Sequence, residues 1–242
     1  MCGIIGYIGS RPSVPILLGG LKSLEYRGYD SAGLACQNGG DLEVLRVKGK
    51  IANLEQALGL NGFGKAACCG IGHTRWATHG PPEERNAHPH RDNSGKLALV
   101  HNGIIENYEA LRAELRLQGY ICFSDTDTEV LVNLISHGCE QTGGVEQGIA
   151  WALERAEGAY AIVLMHQDHP GVLWGARKAS PMVLGVGRAE HFLASDIPAL
   201  LDHTRDVVFL EDGEIVRLEK DSWAAMHLEG LTPVVKAPHR IT

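Results

Sequence analysis

An α+β domain is predicted by three features of the sequence. Short apolar or alternating runs open the chain, a group of helical patterns occupies its middle, and a further succession of short runs fills its second half. Glycine, at 30 residues, makes up roughly 12% against a usual ~7%, which implies many tight turns and close backbone approaches. The length of 242 residues suffices for a single domain with a full core, and neither internal repeats nor low-complexity linkers divide it.

Taken in order, Cys2–Ile8 (CGIIGYI) reads as an apolar strand beginning at the terminus. A helix over Ser13–Leu24 takes Ser13 as its N-cap, with Pro15 in its first turn. Ala32–Gln37 and Leu42–Val47 read as a hairpin around Asn38-Gly39-Gly40, followed by a short helix near Ala52–Leu58. A strand at Ala67–His73 leads into a long irregular segment, Trp76 to Ser94, that holds three prolines and three histidines. Loops of that length inside compact domains are usually functional.

Next, a strand at Leu97–Val100 ends at His101-Asn102-Gly103. A helix from Asn107 then carries Tyr108, Leu111 and Leu115 on one face by i, i+3, i+7 spacing. In the SDTDTE stretch Asp127 precedes a second helix, Thr128–Cys139, with Glu129 in its first turn. Gly144–Glu154 reads as a third. Beyond it Ala159–His166, Val172–Ala176, Met182–Val186, Phe192–Ala194, Val207–Leu210 and Glu214–Leu218 read as strands of a largely antiparallel sheet.

Hydrophobic residues at 44% and charged residues at 21% exclude a disordered chain. A formal net charge of −7, with no long Lys/Arg cluster, argues against nucleic acid or an anionic membrane as partner. No apolar run of about 18 residues and no signal-peptide pattern is present, so a cytoplasmic location is expected. The six cysteines include no CxxC pair, and in a reducing compartment most are expected to be plain buried thiols.

Cys2 is the exception. A small second residue permits removal of Met1, which leaves thiol and α-amine on one residue: an amine near pKa 7.7–8.0 is a competent base, and a thiol near 8.5 needs modest help to ionise. Its competing reading is an ordinary strand cysteine. In His73-Thr74-Arg75-Trp76-Ala77-Thr78-His79-Gly80, Arg75 offers a fork for a carboxylate or a surface ion pair, and Trp76 a core anchor or a lid. Asn102-Gly103 can supply a side-chain amide and a backbone N–H that converge as an oxyanion hole, or simply a turn. Asp127 can face an ammonium or cap a helix. The spacing of His88 and His90 with His73 and His79 is a weak metal pattern, and no Gly-rich piece fits a nucleotide cradle.

Eight segments together resemble the glutaminase domains of glucosamine-6-phosphate synthases, which are class II glutamine amidotransferases. They are CGIIGYIG from Cys2, LEYRGYDSAG from Leu24, GHTRWATHG from Gly72, NAHPH from Asn86, VHNGIIENY from Val100, SDTDTEV from Ser124, GAYAIVLM from Gly158 and FLASDIPALL from Phe192. They run in order along nearly the whole chain, and the EYRGYDSAG and HTRWATHG forms look like these synthases rather than amidophosphoribosyltransferases or asparagine synthetases.

The resemblance implies a four-layer αββα sandwich of the N-terminal-nucleophile hydrolase type and L-glutamine as substrate. On the matching positions it implies Cys2 as nucleophile with its freed amine as base, and Asn102 and Gly103 as oxyanion hole. Arg75 would hold the glutamine α-carboxylate and Asp127 its α-ammonium, with Thr78 and His79 contacting substrate from a mobile loop. Trp76 would gate ammonia, Arg27 would lie near the nucleophile, and His88 would support the loop. No metal or organic cofactor is implied. Residues 1–242 would form one glutaminase domain, with Pro233–Thr242 as the start of a linker to a sugar isomerase domain of the same polypeptide. Two alternatives stay open: the same fold serving another acceptor, as in a phosphoribosyl-transferring relative, and a non-catalytic regulatory domain.

Overall fold

The computed structural model describes residues 2–77 and 80–242, apart from the side chains of Arg27 and Asn61. Met1, Thr78 and His79, on which expectations above rest, lie outside the described residues. The first third of the chain forms β1 (Gly3–Ile8), α1 (Ser13–Ser23), β2 (Ser31–Asn38), β3 (Asp41–Lys48), α2 (Ile51–Asn61) and β4 (Cys69–Arg75). Next come β5 (His90–Arg91), β6 (Leu97–Ile105), α3 (Tyr108–Leu117), α4 (Asp127–Thr142) and α5 (Val145–Leu153). The remainder is β7 (Gly158–His166), β8 (Leu173–Lys178), β9 (Val183–Val186), β10 (His191–Ala194), β11 (Asp206–Phe209), β12 (Glu214–Leu218), β13 (Trp223–His227), β14 (Pro233–Val234) and β15 (His239–Arg240).

Among the described residues two sheets form, with strand orders β15-β11-β9-β10-β1-β4-β2-β3 and β14-β13-β12-β8-β7-β6-β5. Period-two alternation decides what lies between them. Ile4 and Ile8 of β1, Ile71 of β4, Val100 of β6 and Val163 of β7 meet in one apolar layer between the sheets. The residues in between point outward: Ile5, Tyr7 and Leu34 pack with Leu17, Leu21 and Leu54 of α1 and α2. On the far side Leu99 and Ile162 pack with Leu111, Val130, Leu134 and Ile149 of α3, α4 and α5. Three apolar layers thus separate four layers of secondary structure, an αββα sandwich.

Strands buried on both faces read as continuous apolar runs, which is why β1, β6 and β7 were legible. The β2–β3 hairpin closes with Asn38 opposite Asp41, and Gly39 and Gly40 take φ of +62° and +102° in the two-residue turn, where only glycine turns without strain. The short strands β5, β13, β14 and β15 were not predicted; β5, β14 and β15 have two residues each, too few for alternation to register, and β13 (WAAMH) carries adjacent alanines in place of an alternating β-branched pattern.

Several boundaries differ from the expectation. Pro12, not Ser13, is the N-cap of α1; the Ser13 N–H donates instead to Ala67 O at 2.7 Å and its hydroxyl is buried 3.5 Å from the Cys36 thiol. Strand β6 continues five residues past Val100, so Asn102-Gly103 is neither a strand end nor a turn but is paired with Ala161 and Tyr160 of β7. Asp127 is the first residue of α4, and the cap is Thr126, whose hydroxyl accepts the Glu129 N–H at 3.2 Å. Pro233–Val234 pairs with β13 and His239–Arg240 with β11, so the last ten residues touch both sheets.

Between those two strands Lys236 reaches the buried Glu214 carboxylate at 2.9 Å and donates to Phe209 O at 3.1 Å. Glu214 is 1% exposed, and a buried carboxylate stripped of its cation is costly. Lys236→Met is therefore expected to lower the unfolding free energy by about 3 kcal/mol, measured by urea denaturation at neutral pH. A loss within experimental error would show that the pair does not hold the terminal segment.

Candidate functional site

Three neighbouring strands deliver the site by the same alternation that builds the core. Along β4, Cys69 and Ile71 face the layer between the sheets, and the next positions in phase are His73 and Arg75. On β6, Ala98 and Val100 face that layer, and Asn102 is next in phase. Cys2 lies one residue before β1, in phase with Ile4. Where the apolar layer ends, these polar residues converge.

The Cys2 sulfur accepts the Trp76 N–H at 3.2 Å. The Cys2 carbonyl accepts the Asn102 side-chain amide at 3.0 Å, a direct bridge from one sheet to the other. Burial raises the Cys2 thiol pKa and the nearby Asp30 adds to that, while the Trp76 N–H, the amino terminus and Arg75 pull it down. A cavity of about 250 Å³ opens beside the sulfur, lined by Arg75, Trp76, Asn102, Gly103 and Asp127 among others. That is just below the roughly 300–1,000 Å³ of pockets for drug-sized ligands, and suits a small polar one.

Arg75 is buried, and burial lowers its pKa from the usual value. Its guanidinium donates to Gly80 O at 3.2 Å and Pro81 O at 3.4 Å. Both contacts are long for a group that prefers a charged acceptor. Asp127 opens α4 with its carboxylate turned inward, accepting the Ile105 N–H at 2.9 Å and lying 3.8 Å from His101 Nδ1. Helix capping is left to Thr126. Gly103 adopts φ +122°, and a Cβ there would stand 2.0 Å from Ala159 O, so β6 keeps its pairing with β7 through this residue only because it is glycine.

Trp76 is 54% exposed, so it is a rim residue and not a core anchor. The backbone of Arg27 ends a short 3₁₀ turn, Glu25–Arg27; its side chain, like Thr78 and His79, is outside the described residues. His88 is buried beneath the site, with Nε2 2.8 Å from Thr128 Oγ1 and its ring 4.1 Å from that of His73. His90 Nε2 lies 3.1 Å from Thr126 Oγ1. These imidazoles engage hydroxyls and carbonyls, and among the described residues no group of three or more His, Cys, Asp or Glu could hold a metal ion.

Comparison with known proteins decides the family. Residues 73–202, more than half of the chain, match the family described as glutamine amidotransferase domain. This chain belongs to the glutamine amidotransferase domain family. Among its relatives, the glutamine–fructose-6-phosphate aminotransferase [isomerizing] of Chlorobaculum tepidum is 50% identical over 96% of this chain and 38% of the relative. That of Thermococcus kodakarensis is 46% identical over 100% of this chain and 40% of the relative. The amidotransferase domain thus spans about two-fifths of the length of these curated relatives. Among solved structures, a glutamine phosphoribosylpyrophosphate amidotransferase from B. subtilis complexed with ADP and GMP superposes with a TM-score of 0.78 at 27% identity, covering 94% of this chain and 49% of that one.

Asp30 and Thr128 were not singled out from sequence, and His73 was weighed only as part of a weak metal pattern. Asp30 accepts the Ala77 N–H at 2.6 Å and its own N–H donates to Arg75 O at 2.8 Å, which ties down the start of the loop that carries Trp76. Thr128 lies between His88 and His101, 2.8 and 2.9 Å from their ring nitrogens. His73 contacts Asn102 Oδ1 at 3.0 Å. All three stand inside matching motifs, but only the fold shows what each touches.

Burial holds His73 and His90 down to about 3, and His88 well below its usual 6.5. The unfolded chain therefore binds more protons than the folded one from about pH 6.5 down to about pH 3, and stability is lost as pH falls through that window. Each histidine contributes a slope of about 1.4 kcal/mol per pH unit. Urea unfolding of the amidotransferase domain between about pH 7 and about pH 5 should show this loss, and a flat profile would mean that the histidines are not buried as neutral imidazoles.

Proposed function

We propose that this domain hydrolyses L-glutamine to glutamate and ammonia through a γ-glutamyl thioester on Cys2, and that the ammonia serves a sugar isomerase domain lying outside this chain. The observation that carries the reading is the convergence of a partly buried thiol, an inward amide, a buried guanidinium and a buried carboxylate on one small cavity.

After Met1 is removed, the Cys2 α-amine takes the thiol proton, through a water, and the sulfur attacks the side-chain carboxamide carbon. The carbonyl oxygen becomes an oxyanion. Asn102 Nδ2 carries two N–H groups, one engaged by Cys2 O, and the other, with the Gly103 N–H, receives that charge. Preorganised donors of this kind are usually the largest single contribution to rate. The tetrahedral adduct collapses as the C–N bond breaks, the proton passes to the leaving nitrogen, and ammonia departs. Water then attacks the thioester, releases glutamate and restores the thiol.

Arg75 would exchange its two long bonds to Gly80 and Pro81 for a forked pair to the substrate α-carboxylate, which is shorter and stronger. Asp127, the first residue of α4, would hold the α-ammonium. Thr78 and His79 would contact the substrate, with Trp76 at the rim gating ammonia, Arg27 near the nucleophile and His88 supporting the loop. Identities of 46–50% to fructose-6-phosphate aminotransferases, against 27% to the phosphoribosyl-transferring enzyme, favour fructose 6-phosphate as the acceptor in the whole protein. The Cys2-lined cavity favours catalysis over a purely regulatory role.

Glutamate release by the chain should disappear in Cys2→Ala and in any preparation whose N-terminal mass retains Met1. An active Cys2→Ala variant would remove the nucleophile from the mechanism. Asn102→Ala is expected to lower kcat by about 10²–10³ with little change in KM. The opposite split, in steady-state kinetics with glutamine, would make Asn102 a ground-state contact.

A further inference from the structure

We infer that His73 is a positioning residue that fixes which end of the Asn102 side chain faces Cys2, a step that rests on the proposed role of Asn102. His73 lies on β4 opposite Ile4 of β1 and Gly33 of β2, and its side chain crosses the gap between the sheets. It is fully buried. Its Nε2 lies 3.0 Å from the backbone carbonyl of His101 and 3.0 Å from Asn102 Oδ1. A backbone carbonyl only accepts, so Nε2 carries the ring proton.

The opposite tautomer would bury an unpaired Nδ1–H, because His73 Nδ1 has no hydrogen-bond partner among the described residues, and would turn a lone pair toward two oxygens. With Nε2 protonated, the Asn102 atom in front of it must be the amide oxygen. At the other end the Cys2 carbonyl, again an acceptor only, faces the Asn102 NH₂ at 3.0 Å. Two backbone carbonyls, one on each side, thus leave a single solution for both groups. A flipped amide would set oxygen against the Cys2 carbonyl and N–H against N–H at His73, losing both bonds.

Catalytically the flip matters because the same amide would then present oxygen, not N–H, to the developing oxyanion. The His73 ring is itself held from behind by His88, with the rings 4.1 Å apart, and His88 is held by Thr128 at 2.8 Å. Burial keeps His73 neutral down to about 3, so this arrangement does not change across the physiological range.

The test has two arms. In the first, ¹⁵N NMR of the histidine-labelled wild-type chain, with the His73 signal assigned by its loss in His73→Gln, should show the Nε2–H tautomer unchanged from about pH 8 to about pH 5; an Nδ1–H or a titrating ring overturns the inference, whether or not the chain hydrolyses glutamine. In the second, His73→Leu should lower kcat about 10- to 100-fold with KM little changed, while His73→Gln, which keeps an N–H donor, stays within about threefold of wild type. The double variant His73→Leu/Asn102→Ala should be no slower than Asn102→Ala alone. Additive losses, wild-type turnover in His73→Leu, or a Gln variant as slow as Leu with an unchanged melting temperature each overturn the inference. Should His73→Leu fail to fold, the Gln variant and the tautomer decide. Absence of glutaminase activity in the wild type would sink the proposed function instead, and the tautomer would still be read.

Discussion

The hydrogen bond from the Asn102 amide to the Cys2 carbonyl is where the two sheets of this protein become one site. Each sheet by itself offers only part of the chemistry: β1 and β4 bring the thiol and the guanidinium, while β6 and the start of α4 bring the amide and the carboxylate. The apolar layer between them, from Ile4 and Ile71 to Val100 and Val163, sets their separation and hence the geometry of the bridge. Close-packed interiors deform little, so a site placed where such a layer ends inherits its rigidity.

Burial is used selectively around that bridge. The histidines below it are held neutral by desolvation and act as dipolar props between hydroxyls and carbonyls, because a charge there would cost far more than a hydrogen bond returns. Arg75 is the charged exception. Its guanidinium donates to two loop carbonyls at 3.2 and 3.4 Å, long contacts for a group that binds a carboxylate more tightly. The rim is built the other way: Trp76 is 54% exposed, anchored through its backbone N–H to the Cys2 sulfur and by the Asp30–Ala77 bond.

Most of the layered architecture was legible because its cause is local. Apolar runs such as GAYAIVLM, rich in β-branched and aromatic residues and bounded by glycine, read as buried strands, and the Tyr108, Leu111, Leu115 spacing reads as one face of a helix. The misreadings share a cause as well. Asn102-Gly103 has the composition of a turn, yet nine residues of β6 pair with β7 through it, since the pairing of the strand on either side outweighs the local preference. Ser13 and Asp127 have the composition of N-caps, yet Ser13 is drawn into a bond with Ala67 and Asp127 toward Ile105, leaving the caps to Pro12 and Thr126.

Sequence by itself determined the kinds of groups present, the phase in which they leave each strand and the family to which the chain belongs, since all three are carried by residue identity and period. It did not determine that His73 and Asn102 meet, that Thr128 joins His88 to His101, or that Lys236 neutralises Glu214. Those pairs lie 22 to 40 residues apart on elements whose facing is set only when the sheets and helices close around their cores. A side chain's phase is a local property of its strand; its partner across a gap is a property of how the layers stack, and that is settled by packing.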